Sequence, residues 1–145
     1  MDDKLIREIV LSFREVSKKT HQILSEESDK KEITTAQLIA LSTLKREPHL
    51  TLGELAERMK VSKSTASGIV DRLVRADFLM RNRVEDNRRT LNLELTKLGE
   101  RKTAETYALF FDRLEPLLDV GEESLLSMLE THKRIIEILE RGIKE

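Results

Sequence analysis

Cysteine is absent from the 145-residue chain, which excludes disulfides, thiolate metal ligands, nucleophilic thiols and thiol-based redox sensing in one step. Tryptophan is absent as well and aromatic residues reach only 3%, so the interior has to be assembled from Leu, Ile and Val. No uninterrupted apolar run approaches the ~18 residues of a membrane span. The opening residues, with Asp2 and Asp3 soon followed by Arg7 and Glu8, lack the basic-then-apolar order of a signal peptide. The expected location is the cytoplasm, with no membrane partner. His21, His49 and His132 lie on separate elements without the H-x-x-x-H spacing of a metal pair, and no phosphate loop, nucleophile elbow or paired-carboxylate motif stands out. These absences argue against an enzyme, a resident metal and a cofactor.

What the chain does have is charge and aliphatic side chains, with 37% of residues charged and 39% hydrophobic. That balance suits amphipathic helices whose outer faces are coated by long charged side chains. The length fits one domain, or one domain with helices that need a partner to bury them. The formal net charge of -1 is unevenly spread. Residues 58–101 hold eleven Lys or Arg against six Asp or Glu, a local charge of +5, and the remainder of the chain carries -6. A basic middle between acidic ends is the footprint of a segment that faces phosphate, although clustering on a highly charged surface gives the same pattern.

Leu5, Ile9, Phe13, Val16, Thr20 and Ile23 recur every three or four residues and predict an amphipathic helix over 2–28. The polar stretch 25–32 interrupts the pattern and reads as a loop. Thr34 or Thr35 can cap a second helix through Leu38, Leu41 and Leu44, which Pro48 ends. Thr51 is placed to cap a third helix with Leu52, Leu55, Ala56 and Met59 inward, and Ser62 a fourth over 63–76 with Ala66, Ile69, Val70 and Leu73 inward. After Asp77 the period falls from about 3.6 to 2. One strand is expected over 78–84, a second carries Leu91, Leu93 and Leu95, and 85–89 forms a polar turn between them. Thr96 can cap a long fifth helix that Pro116 kinks or stops, and Gly121 and Glu122 open a last helix that is apolar on more than one side. Tyr107, Phe110 and Phe111 read either as core or as the lining of an effector pocket.

The outer face of the fourth helix shows Lys63, Ser64, Ser67, Gly68 and Arg72, all small or cationic. A short helix, a tight turn, a helix with such a face and then a basic-tipped hairpin is the order of a winged helix-turn-helix. The predicted fold class is therefore mainly α with a small β-hairpin wing. A helix entering a major groove needs outward side chains short enough to bring its backbone to the base edges, yet able to donate and accept hydrogen bonds. Lys63, Ser64, Thr65 and Ser67 meet that need, and the helix N-terminus turns N–H groups toward phosphate. Arg72 can reach a phosphate or a base. Arg88 and Arg89 can enter a minor groove, where narrow A·T stretches concentrate negative potential. The same residues would also suit a solvated helix face and a charged hairpin tip that serves solubility alone. Asp71 is awkward on a helix that faces DNA, and a nearby arginine such as Arg75, its i,i+4 neighbour, is the expected partner.

The segment LAERMKVSKSTASGIVDRLVRADFLMRNRVEDNRRTLNLELTKLGE, residues 55–100, resembles the winged-helix core of the multiple-antibiotic-resistance regulator (MarR) family of bacterial repressors. The likeness lies in the LA, VS, ST and VDRL run, the arginine-rich wing, and the closure from Leu95 and Thr96 to Gly99. The resemblance implies a homodimer interlocked through its N- and C-terminal helices, with two lobes on a pseudopalindromic operator. It also implies a small-molecule inducer bound between the dimer region and each lobe. It maps Thr51 and residues 63–67 onto the family's phosphate- and base-contacting positions, and Arg72 onto its recognition-helix arginine. In the family's Asp-x-Arg wing frame Asn87 and Arg89 fall in register, with Asp86 and Arg88 one residue off. That favours Arg89 for the minor groove and Arg88 for phosphate, and leaves Asp86 and Asn87 both open as the residue that steadies the arginine. Lys60 and Asp77 stand where the family tends to have glycine. Lys60 is thus expected in left-handed backbone at roughly 1 kcal/mol of strain, and the Asp77 corner invites the same expectation.

These readings predict a DNA-binding domain over 34–96 between helical dimerisation regions at 1–33 and 97–145. The expected function is a sequence-specific double-stranded DNA-binding transcription regulator, a repressor relieved by an effector. Its two recognition helices would lie roughly 34 Å apart in successive major grooves. Two rivals stay open: a winged helix that docks a polypeptide, and a metal-responsive DNA-binding regulator, against which the lack of cysteine counts.

Overall fold

Side-chain caps set most of the element boundaries in the computed structural model, which describes residues 2–84 and 87–143 apart from the side chains of 83, 84 and 87–90. Asp2 accepts from the Leu5 N–H and opens α1, Asp3–Lys30. Thr34 and Gln37 each bond the other's backbone N–H at the start of α2, Thr35–Arg46. Thr51 and Glu54 repeat that reciprocal cap for α3, Leu52–Met59, and Ser62 accepts from the Thr65 N–H to start α4, Lys63–Arg75. Two antiparallel strands follow, β1 Leu79–Val84 and β2 Asn87–Leu95. Thr96 caps α5, Lys97–Leu114, by accepting from the Gly99 N–H. At Pro116 the backbone tightens into a 3-10 segment, Glu115–Val120, before α6, Glu122–Gly142. The architecture is the mainly helical one with a hairpin wing that the sequence predicts.

One aliphatic core joins α2, α3, α4 and the hairpin through Leu38, Leu41, Leu55, Val70, Leu73, Leu79 and Leu93. Each such side chain contributes about 1.5–3 kcal/mol by leaving water, and the partly buried Phe78, Tyr107 and Phe110 pack against this aliphatic centre. The register pairs Leu79 with Leu95 and Arg81 with Leu93, and Leu79, Leu93 and Leu95 lie on the core side. The Leu93 N–H also donates to the Leu50 carbonyl at 2.8 Å, so the segment entering α3 lies against the wing. At the base of the hairpin the Thr96 hydroxyl donates to the Asp77 carbonyl at 2.6 Å. Gly99 sits so close to the Phe78 backbone that an added Cβ would stand 2.1 Å from its carbonyl oxygen. Wing and α5 are thereby locked at one corner.

Two stretches depart from the sequence expectation. The polar residues 25–32 are mostly helix, because α1 runs on to Lys30 and buries Leu24, Glu27 and Ser28. Their polarity is satisfied inside: the Ser28 hydroxyl donates to the Leu24 carbonyl at 2.7 Å, and the Glu27 carboxylate meets the Lys30 ammonium at 3.0 Å. Asn87, Arg88 and Arg89, expected in the turn, belong to β2, since cross-strand pairing reaches Val84 and Asn87 with a register shift after Arg83.

The chain divides into two compact units, Met1–Phe110 and Phe111–Glu145. The first contains the core. Its helix α1 nevertheless exposes Leu5, Ile6, Ile9, Val10, Phe13 and Val16 toward its N-terminal end. In the second unit no described residue of the 3-10 segment or α6 is buried, and Leu117, Leu126, Leu129, Ile136 and Leu139 face solvent.

Candidate nucleic-acid interface

The α4 helix turns Ala66, Ile69, Val70 and Leu73 into the core. At 3.6 residues per turn this leaves Ser64, Gly68, Asp71 and Arg75 on the opposite side, with Ser67 on one flank and Thr65 and Arg72 on the other. Lys63, Ser64, Thr65 and Arg72 are exposed and Ser67 is half-buried, so the structure brings the α4 candidates together on one surface. A Cβ added at exposed Gly68 would meet nothing within 4 Å. Internal packing therefore gives no reason for a glycine in mid-helix, where it costs roughly 0.5–1 kcal/mol relative to alanine.

Two of the candidate hydroxyls also hold structure. Thr51 accepts from the Glu54 N–H at 3.2 Å, and the Glu54 carboxylate accepts from the Thr51 N–H at 3.1 Å. The backbone hydrogen bond from Thr51 is the main reason the Glu54 carboxyl sits below its ordinary value, with the Thr51 side chain and the Arg58 charge acting the same way. The Thr65 hydroxyl accepts from the Ser62 hydroxyl at 2.9 Å. Thr51 thus fixes the start of α3 and Ser62 with Thr65 the start of α4, the two helices that form the helix-turn-helix.

The two corners of this motif carry the left-handed residues that the sequence anticipates, Lys60 at φ 55° and Asp77 at φ 66°. Each ends a helix in the same way. The Lys60 and Val61 N–H groups donate to Glu57 and Ala56, and the Asp77 and Phe78 N–H groups donate to Val74 and Leu73, which satisfies carbonyls that a helix end leaves open.

Charge on this surface is distributed differently from the sequence expectation. Arg58 is paired with Glu47 at 3.1 Å. The partner of Asp71 is Arg81 on β1, not Arg75, because the odd-numbered side of β1 faces α4 and delivers the guanidinium to the carboxylate. Arg81 was not among the sequence candidates. Its one signal is a cation on the same strand row as Leu79. Asp86 lies outside the described residues, as do the side chains of Asn87, Arg88 and Arg89.

Tyr107 and Phe110 meet edge to face at 6.2 Å and pack against the core. Phe111 is exposed and, with Leu114, Leu118, Leu125 and Leu129, lines an open apolar groove of about 870 Å³ in the second unit. Among the described residues no three His, Asp or Glu side chains are grouped to hold a metal, and no helix is long and apolar enough to cross a membrane.

Residues 33–91 match the family model described as the MarR family. The HTH-type transcriptional repressor MdtR of Bacillus subtilis (strain 168) is 34% identical over 106 residues, spanning 73% of this chain and 68% of that protein. A MarR family protein from Bacillus stearothermophilus superposes with a TM-score of 0.88 at 25% identity, covering 97% of this chain and 99% of the other. A mutant of Staphylococcus aureus MepR bound to an oligodeoxyribonucleotide shares the fold, with a TM-score of 0.64 at 23% identity over 90% of this chain and 97% of that one. The chain belongs to the MarR family of transcription regulators and is not an enzyme.

Proposed function

We propose that the chain is a homodimeric, cytoplasmic repressor that reads a pseudopalindromic operator through α4 and the wing. The observation that carries this reading is the outer face of α4: an unforced glycine between small hydroxyl residues, flanked by exposed Lys63 and Arg72. Such a face suits close approach by another molecule's edge, and a protein of the same fold is known bound to an oligodeoxyribonucleotide. In this reading Lys63, Ser64 and Ser67 address base edges, and Arg72 reaches a base or phosphate. Thr51, Thr65 and the α4 N-terminus meet the backbone, Arg88 adds a phosphate contact, and Arg89 enters the minor groove.

The apolar faces left open on α1 and α6 support a dimerisation region at 1–33 and 97–145 around a DNA-binding domain at 34–96. A small-molecule effector would relieve repression by binding one spacing of the two lobes better than the other. Selection from a random duplex pool tests the whole reading. A single enriched, two-fold-related sequence is expected, whose affinity falls steeply with salt as neutralised phosphates release counterions. Recovery of no preferred sequence, or an affinity indifferent to salt, would overturn it.

A further inference from the structure

The chain carries an acid in the middle of the surface assigned to DNA. Asp71 stands about two turns along α4 from Ser64, on the same side, where an unpaired carboxylate would repel phosphate. Its partner Arg81 comes from another element, ten residues away in sequence. Arg81 shares the core-side row of β1 with Leu79, so its side chain has to run along the α4–β1 seam before it reaches water. The Asp71 carboxylate stops it there. Both side chains keep solvent contact, 37% for Arg81 and 46% for Asp71, so the pair is not sealed in the core. A pair this exposed contributes little to stability, which leaves its placement to be explained.

That placement follows from how a winged helix straddles DNA. With α4 in a major groove and the wing in the adjacent minor groove, one phosphodiester strand passes over the seam between them. A guanidinium has five N–H donors in a fixed fork, so a carboxylate can hold one edge while the other edge meets a phosphate oxygen. We propose that Arg81 is a phosphate contact at this seam and that Asp71 is its positioning residue, neutralised by the arginine it orients. This rests on the DNA-binding reading above.

Simple electrostatics and positioning predict opposite signs for one substitution. If Asp71 were only a misplaced negative charge, Asp71→Asn would tighten binding. As a positioning residue its loss should weaken binding, although a negative charge has been removed. The test is a double-mutant cycle in the full-length chain, measured across a salt series on the duplex that the wild type enriches from a random pool. Arg81→Ala should weaken binding roughly tenfold and lower the log–log salt slope by about 0.9. Asp71→Asn should weaken it roughly threefold to tenfold, and should have no further effect once Arg81 is alanine. Arg81→Lys, which keeps the charge, should restore the slope.

Tighter binding by Asp71→Asn, additive losses in the double variant, or an unchanged slope in Arg81→Ala would each overturn the assignment. Wild-type chain that enriches no duplex would remove the DNA-binding reading itself. Enrichment with an additive cycle would overturn this assignment and leave the DNA-binding reading standing. Circular dichroism and unfolding midpoints should match wild type throughout, since both side chains are on the surface.

Discussion

The helix-turn-helix and the terminal helices are made of the same aliphatic residues put to different use. Between Ile33 and Leu95 nearly every apolar stripe finds a partner within the chain, and Leu38, Leu41 and Leu55 lose all contact with water. On α1 and α6 the stripes are as regular, yet Ile6, Val16, Leu129, Ile138 and Leu139 remain more than half exposed. A stripe of that length left in water is a cost that folding of one copy does not recover. The central region is therefore complete in one chain, whereas the ends leave apolar surface open, as the proposed dimer requires. The helix proposed to read DNA thus rests on a core that one chain closes.

The sharpest way to break this comparison is to truncate one leucine from each region. Leu55→Ala, at a fully buried position, should cost about 2–5 kcal/mol in denaturant unfolding. Leu139→Asp, at a position 58% exposed, should leave helical content and core packing intact while sedimentation shows dimer converted to monomer. A core-sized loss of stability from Leu139→Asp at every protein concentration would erase the distinction between the regions.

Within the central region, local strain and the DNA surface can be separated by two glycine changes. Lys60→Gly relieves a left-handed residue at φ 55° and should raise stability by about 1 kcal/mol, read from the urea midpoint, with DNA affinity unchanged. Gly68→Ala should also stabilise, by roughly 0.5–1 kcal/mol, because the new methyl meets nothing within the chain. Unlike Lys60→Gly it should weaken binding to the selected duplex. Equal affinity for Gly68→Ala and wild type would mean that the bare face of α4 is not where DNA approaches.

Much of this was legible in the sequence, and the exceptions share a cause. Caps announce themselves locally, so Thr51, Ser62 and Thr96 could each be placed from their own neighbourhoods, and the cap of α2 narrowed to Thr34 or Thr35. The switch of period after Asp77 marked the hairpin for the same reason. Failures came where a partner lies outside the local window. The continuation of α1 through Glu27 and Ser28 needs burial to be known, because in isolation those residues look like loop. The α4 candidates could be read from one helix, but the arginine that meets Asp71 arrives from a strand, and the i,i+4 rule pointed instead to Arg75. Lys60 and Asp77 were foreseen only through the family's glycines, since neither residue type advertises positive φ.

The smallest expected effect concerns the cap at the entry to the helix-turn-helix. The Glu54 carboxyl is held below its ordinary 4.5, first by the Thr51 backbone N–H it accepts from, then by the Thr51 side chain and the Arg58 charge. A lowered folded value means that the ionised group stabilises the native state. Its contribution is full above the ordinary carboxylate value and disappears as pH falls through the lowered one. Glu54→Gln can still accept from the Thr51 N–H but cannot titrate, so its stability should decline less than that of wild type as pH drops through this window. Because Glu54 is solvent-exposed the difference should be slight. It should also be confined to the helix-turn-helix, detectable as faster amide exchange at Thr51 in wild type than in Glu54→Gln below the ordinary carboxylate value. Identical exchange in the two proteins at low pH would show that the carboxylate does not hold this corner, and that the Thr51 hydroxyl alone sets the start of α3.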